Sequence, residues 1–144
     1  MTTLPSARAG RLVELAVTDL ALIDRLRLQL APGLNVLTGE TGAGKTVIAQ
    51  ALSLLVGGQA DASAVRPGAG HALVEATLGL PPGFWEGIVE EDDDPLAAAR
   101  ELVDDAAEVV TAVRVPAQGR ARALIDGQTT TRAAAAAVAG RMIR

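Results

Sequence analysis

Residues 11 to 30 alternate between apolar and polar positions. Leu12, Glu14, Ala16 and Thr18 interleave with Val13, Leu15 and Val17, the period of two expected of a half-buried strand. Asp19 to Asp24 can turn the chain, and Arg25-Leu26-Arg27-Leu28-Gln29-Leu30 alternates again, so the pattern predicts a hairpin. Pro32-Gly33 is a turn signal. Leu34 to Thr38, an apolar run around Asn35, predicts a short strand suited to a sheet interior. After the glycine-rich stretch Gly39 to Gly44 the period changes. Ile48, Ala51, Leu52 and Leu55 share one face at helical spacing, which predicts a helix from Lys45 to Val56, stopped by Gly57-Gly58.

Further along, a loop from Ala60 to Gly70 contains Arg66 and Pro67, and His71 to Leu80 reads as another strand closed by Pro81-Pro82-Gly83. Glu90 to Asp94 is an unbroken acidic run before Pro95, most simply a solvated loop. Leu96 to Ala107 predicts a short helix. Val109 to Val115 and Arg120 to Asp126 predict two strands of a hairpin across Pro116-Ala117-Gln118-Gly119. Thr131 can cap a last helix running through Val138 and ended by Gly140. The alanine tract 133–137 carries helix propensity and no chemistry.

Composition narrows the class. A length of 144 residues suits one domain with a core. Phe84 and Trp85 are the whole aromatic content, which speaks against modules that stack bases on exposed rings. The absence of cysteine excludes a disulfide framework, a zinc ribbon and an iron–sulfur site, and fits a reducing compartment. Met1 to Gly10 leads into Arg11 and Glu14 and not into an apolar leader core. The apolar stretch Val47 to Ala60 is too short to span a membrane, so the expectation is a soluble intracellular chain. Residues 1–10 are expected to be a flexible N-terminus and 11–144 one lobe. The net charge of −4 indicates that this lobe is not itself the main binder of a phosphate backbone. Among 13 basic residues a single lysine occurs, and it is Lys45, where a compact ammonium would suit better than a planar guanidinium.

That lysine sits in Gly39-Glu40-Thr41-Gly42-Ala43-Gly44-Lys45-Thr46, which matches the phosphate-binding pattern G-x-x-x-x-G-K-[ST]. Gly39, Gly42 and Gly44 permit backbone conformations that turn consecutive N–H groups inward around a phosphate. The helix that follows points its N-terminus at the same place. Lys45 would reach the β- and γ-phosphates, and the Thr46 hydroxyl would ligate Mg²⁺. An NTPase also needs a carboxylate at a strand end and a group that positions water. Asp24 and Asp126 each end an apolar run, but Asp24 precedes the loop inside the hairpin turn, and Asp126-Gly127 reads better as a turn. No catalytic base is visible. His71 stands without a neighbouring ligand cluster.

Val13-Glu14-Leu15 through Leu22-Ile23-Asp24, and then Gly33-Leu34-Asn35-Val36-Leu37-Thr38 into the glycine-rich loop, resemble the start of the RecN family of bacterial DNA repair proteins, SMC-like ATPases with ABC-type heads. So do Leu55-Val56-Gly57-Gly58, Val65-Arg66-Pro67-Gly68-Ala69, Val74-Glu75-Ala76 and Arg120-Ala121-Arg122-Ala123-Leu124-Ile125-Asp126-Gly127. The resemblance covers roughly residues 11 to 140 and is weakest over 81 to 108. Thr46 replaces the more usual serine and keeps the hydroxyl; Asp126 stands where asparagine is common. Gln118 and Gln128 lie outside the context of the family's glutamine loop.

The resemblance implies an α/β P-loop NTPase fold: the N-terminal lobe of an SMC/ABC-type head, with a mixed sheet and antiparallel hairpins around the P-loop helix. It implies ATP and Mg²⁺ bound by Gly39, Glu40, Thr41, Gly42, Ala43, Gly44, Lys45 and Thr46, with Arg66 in a loop where such heads approach nucleotide or DNA. The family's signature motif, magnesium acid and catalytic glutamate belong to a C-terminal lobe beyond a long coiled coil, so this chain alone is expected not to turn ATP over. Implied partners are that lobe, a second head in a homodimer, and DNA through the complete protein, in the cytoplasm at the nucleoid and not at a membrane. The implied role is ATP-driven head engagement in double-strand break repair and recombination. Two other readings of the residues stay open, a small P-loop kinase and a nucleotide-gated scaffold without catalysis of its own.

Overall fold

The computed structural model describes residues 10–38, 42–88 and 93–143. The expected flexible segment 1–10 therefore lies outside them, apart from Gly10. That glycine is packed so closely against Met142 and Pro81 that a Cβ would stand 3.0 Å from the Pro81 ring.

The first hairpin forms as the alternation predicts, β1 (Arg11–Leu20) and β2 (Ile23–Gln29). Its turn is tighter than Asp19 to Asp24: Leu20 pairs with Ile23 across Ala21-Leu22. Next come helix α1 (Gly42–Leu55), a 3-10 turn at Ala62–Ala64, strand β3 (His71–Gly79), helix α2 (Pro95–Arg100), strands β4 (Glu108–Pro116), β5 (Arg122–Ile125) and β6 (Gln128–Thr130), and helix α3 (Arg132–Met142). The six strands form one sheet in the order β2-β1-β3-β4-β5-β6, and every pairing is antiparallel.

One face of this sheet is the core. Leu15 and Val17 of β1, Ala72, Val74, Ala76 and Leu78 of β3, Val109, Val113 and Val115 of β4, and Ala123 and Ile125 of β5 are all buried. They pack with Ala51, Leu54 and Leu55 of α1 and Ala134, Ala135 and Val138 of α3. Small residues on the helices let them lie close to a sheet rich in branched side chains. The positions between, such as Thr18, Arg25, Arg27, Glu75, Arg114 and Arg122, form the opposite, wetter face.

The sheet expected to be mixed is antiparallel at every pairing among the described residues, and the strand expected at 34–38 is not part of it. Leu34 is 91% and Val36 71% exposed, because no described strand lies beside that segment to pair with. Three further points of the sequence reading need correction. β6 has no counterpart in the hydrophobic pattern; Asp126 (φ 47°) and Gly127 (φ 80°) make the two-residue left-handed turn that folds three polar residues back onto β5. The Leu96–Ala107 helix ends at Arg100. α3 passes through Gly140 to Met142; a lone glycine costs a helix only about 1 kcal/mol.

Phe84 and Trp85 pack edge to face at 4.7 Å, with the Arg100 guanidinium 5.7 Å over the indole ring. Asp94, the last of the acidic run, caps α2 by accepting from the Leu96 N–H at 2.9 Å; positions 90–92 lie outside the described residues.

The end of α1 is closed on two sides. The Gly57 N–H donates to the Leu54 carbonyl at 3.4 Å and the Gly58 N–H to the Ser53 carbonyl at 2.7 Å, with Gly57 at φ 98°, the paired bonds of a Schellman motif. Arg132, opening α3, adds a cation: its Nη2 donates to the carbonyls of Leu54 (3.2 Å) and Gly58 (2.7 Å). Charge-assisted hydrogen bonds contribute about 1.5–3 kcal/mol, and a cation at a helix C-terminus also suits the dipole. Arg132→Ala is expected to lower unfolding stability by about 2 kcal/mol in a urea titration. A change below about 0.5 kcal/mol would show that the tie between α1 and α3 contributes little.

Candidate functional site

Helix α1 starts at Gly42, so the second half of the glycine-rich motif forms its first turn, and Gly44, Lys45 and Thr46 are exposed there. Gly39, Glu40 and Thr41 lie outside the described residues, as do the side-chain surroundings of Gly42 and Ala43. The helix is held by its other face: Val47, Ala51, Leu54 and Leu55 are buried in the core. Packing thus fixes the axis and leaves Gly44, Lys45 and Thr46 at its exposed end. A Cβ on Gly44 would meet nothing within 4 Å. Contacts with the other described residues therefore do not require a glycine here. A helix N-terminus with a lysine and a threonine hydroxyl is the donor set an anionic phosphate with its Mg²⁺ calls for, so the residues present fit a nucleotide.

Arg66, the other residue expected at the nucleotide, is turned toward the β1–β2 hairpin. Its Nη1 lies 3.6 Å from Asp19 Oδ1 and 3.4 Å from Asp24 Oδ1, and its backbone N–H donates to the Asp19 carbonyl at 2.8 Å. Asp24 accordingly stands in β2 as a partner of Arg66. Asp126 is used by the fold: its carboxylate accepts from the Val110 N–H at 2.8 Å, and its own N–H donates to the Val110 carbonyl. Gln128 donates to the Leu102 carbonyl at 2.9 Å. Among the described residues no cluster of His, Cys, Asp and Glu could hold a metal, and no helix is long and apolar enough to cross a membrane.

In the loop after α1, Asp61 caps the 3-10 turn through the Ser63 N–H at 2.9 Å. That backbone bond first, and the Ser63 hydroxyl second, hold its carboxyl below the usual value. A lowered carboxyl stabilises the fold above the unfolded-state value and loses that contribution as pH falls through the folded one, so this cap is in place at neutral pH.

Beside α1 lies an apolar groove of about 510 Å³, which sequence reasoning missed. Leu15, Leu28, Leu34, Leu37, Ile48 and Leu52 line it. Leu34, Asn35 and Leu37 of the exposed run therefore form a wall of this groove, just before the phosphate loop in sequence. The signal in the sequence is Ile48 and Leu52, which the helical pattern assigns to the core.

An antiparallel sheet backed by a helix that opens on G-x-x-x-x-G-K-T defines the lobe of a P-loop ATPase head. Residues 20–84 match the family described as AAA domain. The chain is 40% identical over 113 residues to DNA repair protein RecN of Streptomyces coelicolor, covering 78% of this chain and 18% of that protein. It is 46% identical over 72 residues to DNA repair protein RecN of Bacillus subtilis, covering 50% of this chain and 12% of that one. Among solved structures, a chain from a study of ATP-driven dimerization and DNA-stimulated activation of SMC ATPases superposes with a TM-score of 0.65 at 18% identity, over 91% of this chain and 78% of that one. The fold is that of an SMC head, as the resemblance implied, and the small-kinase alternative gains no support. The chain corresponds to the N-terminal head region of the RecN family, and it spans less than a fifth of the length of these relatives.

Proposed function

We propose that the chain is the ATP-binding lobe of an SMC-family ATPase acting in DNA double-strand break repair and recombination. The observation that carries this reading is the exposed N-terminus of α1, with Gly44, Lys45 and Thr46 at its start and no other described residue within 4 Å of a Cβ placed on Gly44. In this reading the backbone N–H groups of Gly39 to Ala43 cradle the phosphates, Lys45 neutralises the terminal ones and Thr46 holds Mg²⁺. Arg66 is a reserve cation. Its two carboxylate partners are partly solvated, such pairs contribute about 0–1 kcal/mol, and a phosphate can displace them.

The lobe extends over residues 11–144, and the groove beside α1 with the exposed run Leu34–Leu37 is its seam with a C-terminal lobe that brings the magnesium acid and the catalytic glutamate. The SMC ATPases whose head superposes on this chain undergo ATP-driven dimerization and DNA-stimulated activation; by analogy two heads of this protein engage over ATP, on DNA, in the cytoplasm at the nucleoid.

The test is calorimetric titration of the chain with MgATP, alongside a turnover assay. Binding without turnover is expected, and Lys45→Ala is expected to weaken binding at least tenfold. Lys45-dependent turnover by the chain alone would overturn the shared-site reading, and binding indifferent to Lys45 would overturn the site itself.

A further inference from the structure

The wet face of the sheet carries a row of cations that only the strand register assembles. Arg25 of β2 pairs with Thr18 of β1, Thr18 with Leu73 of β3, Leu73 with Arg114 of β4, and Arg114 with Arg122 of β5. These residues lie in one line across five strands and on one face. Arg25, Arg114 and Arg122 are exposed, and among the described residues none of them has a carboxylate within ion-pair distance. Arg120 joins Arg114 and Arg122 around a cavity of about 360 Å³ at the β4–β5 end, with Gln118 and Gly119 on its rim. His71, one step along β3, lies 3.4 Å from Arg114 through Nδ1.

Two features make this more than a solvated surface. First, Arg114 and Arg122 face each other directly. Like charges in that position destabilise a sheet, and the lobe has acids to spare, with 17 acidic residues against 13 basic. Second, the acids lie mostly elsewhere. The carboxylates on this face are Glu75 in the adjoining row, Glu14 two rows away and Glu108 at the opposite end of β4 from Arg114. Glu14 is taken by Arg27 at 3.2 Å and by Gln29, while Glu75 faces Ala16 and Ala112. Among the described residues most of the others belong to the first hairpin, the loops and the two ends of α2.

We propose that this row is a binding surface for the phosphodiester backbone of duplex DNA, an inference that rests on the DNA reading above. Strands lie about 4.8 Å apart, so Arg25 stands roughly 14 Å from Arg114, close to the ~12 Å that separate the two backbones across the major groove. Arg25 takes one backbone and the Arg114–Arg122 pair, with Arg120, the other. The contacts are to phosphate, so they position DNA and read no sequence. A net charge of −4 repels DNA overall and so confines contact to this face.

The test is fluorescence anisotropy of a short labelled DNA duplex with the chain across a salt series, for the parent and for Arg25→Gln/Arg114→Gln/Arg122→Gln. Three phosphate contacts at about 0.9 each give a log–log slope of about −2.7, an affinity loss of about 40-fold between about 50 and 200 mM salt. The triple variant is expected to lose most of that slope, to bind MgATP like the parent, and to unfold at the same temperature or higher because the facing arginines are gone. Arg122→Gln alone, which removes one contact, is expected to make the slope shallower by about 0.9 and serves if the triple variant fails to fold. An unchanged slope in the variants would overturn this surface while leaving the DNA reading standing. No duplex binding by the parent at about 50 mM salt, or equal affinity for a single strand of the same length, would overturn it whatever the nucleotide titration shows.

Discussion

Val36→Lys is expected to leave the chain as stable as the parent and to abolish its assembly with a separately supplied C-terminal lobe. In the chain alone Val36 is 71% exposed and Leu34 91%, so a lysine there replaces a wetted side chain by a better hydrated one, and surface changes of that kind stay within about 0.5 kcal/mol. In the proposed assembly the seam that closes over the groove of Leu28, Ile48 and Leu52 also covers position 36, whose neighbours Asn35 and Leu37 line that groove. An unpaired ammonium there costs several kcal/mol, and each 1.4 kcal/mol is about a factor of ten. A weakening of more than about a hundredfold follows, read by calorimetry or by the ATP turnover of the assembled pair. If the variant destabilises the chain itself, the segment already belongs to this lobe's core; if assembly is unaffected, the seam lies elsewhere.

Gly58→Ala is expected to cost more stability than any conservative surface change, about 3 kcal/mol. A Cβ at this position would meet the Ser53 hydroxyl and stand 2.6 Å from the Ser53 carbonyl oxygen and 3.0 Å from its carbon. The hydroxyl can rotate away, but the carbonyl cannot, since it accepts the Gly58 N–H that closes α1. Moving Gly58 also withdraws the carbonyl that Arg132 grips at 2.7 Å. The variant thus strains the helix end and loosens the α1–α3 tie together, and these losses are coupled. Urea unfolding measures the sum. A double variant with Arg132→Ala should lose less than the two single losses added, and full additivity would show that the clash and the tie are independent.

The elements that sequence reading locates best are those whose pattern is answered by a partner inside the chain. The alternation of β1 and the spacing of Ile48, Ala51, Leu52 and Leu55 find a sheet and a helix that pack together. Leu34 to Thr38 has an equally clear apolar pattern, but a strand there requires neighbours that the described residues do not supply. β6 escapes because Gln128, Thr129 and Thr130 show no hydrophobic period; the Asp126-Gly127 turn beside β-branched residues is the available signal. The phosphate loop is legible because glycine, lysine and threonine at fixed spacing are demanded by the ligand. Arg25, Arg114 and Arg122 are not, since nothing in a sequence states which residues the register of a sheet will bring into line.

The exposed run before the phosphate loop also governs how the lobe behaves at concentration. Leu34, Val36 and Leu37 are apolar and open to solvent, in a stretch from Leu34 to Thr38 with no charge and no proline. Such a stretch is able to pair edge to edge with the same segment of another copy. For the lobe on its own, solubility and not folding free energy then sets the usable range. Light scattering that rises steeply with protein concentration, and falls when a charge enters at position 34 or 36, is the behaviour such an unpaired segment produces.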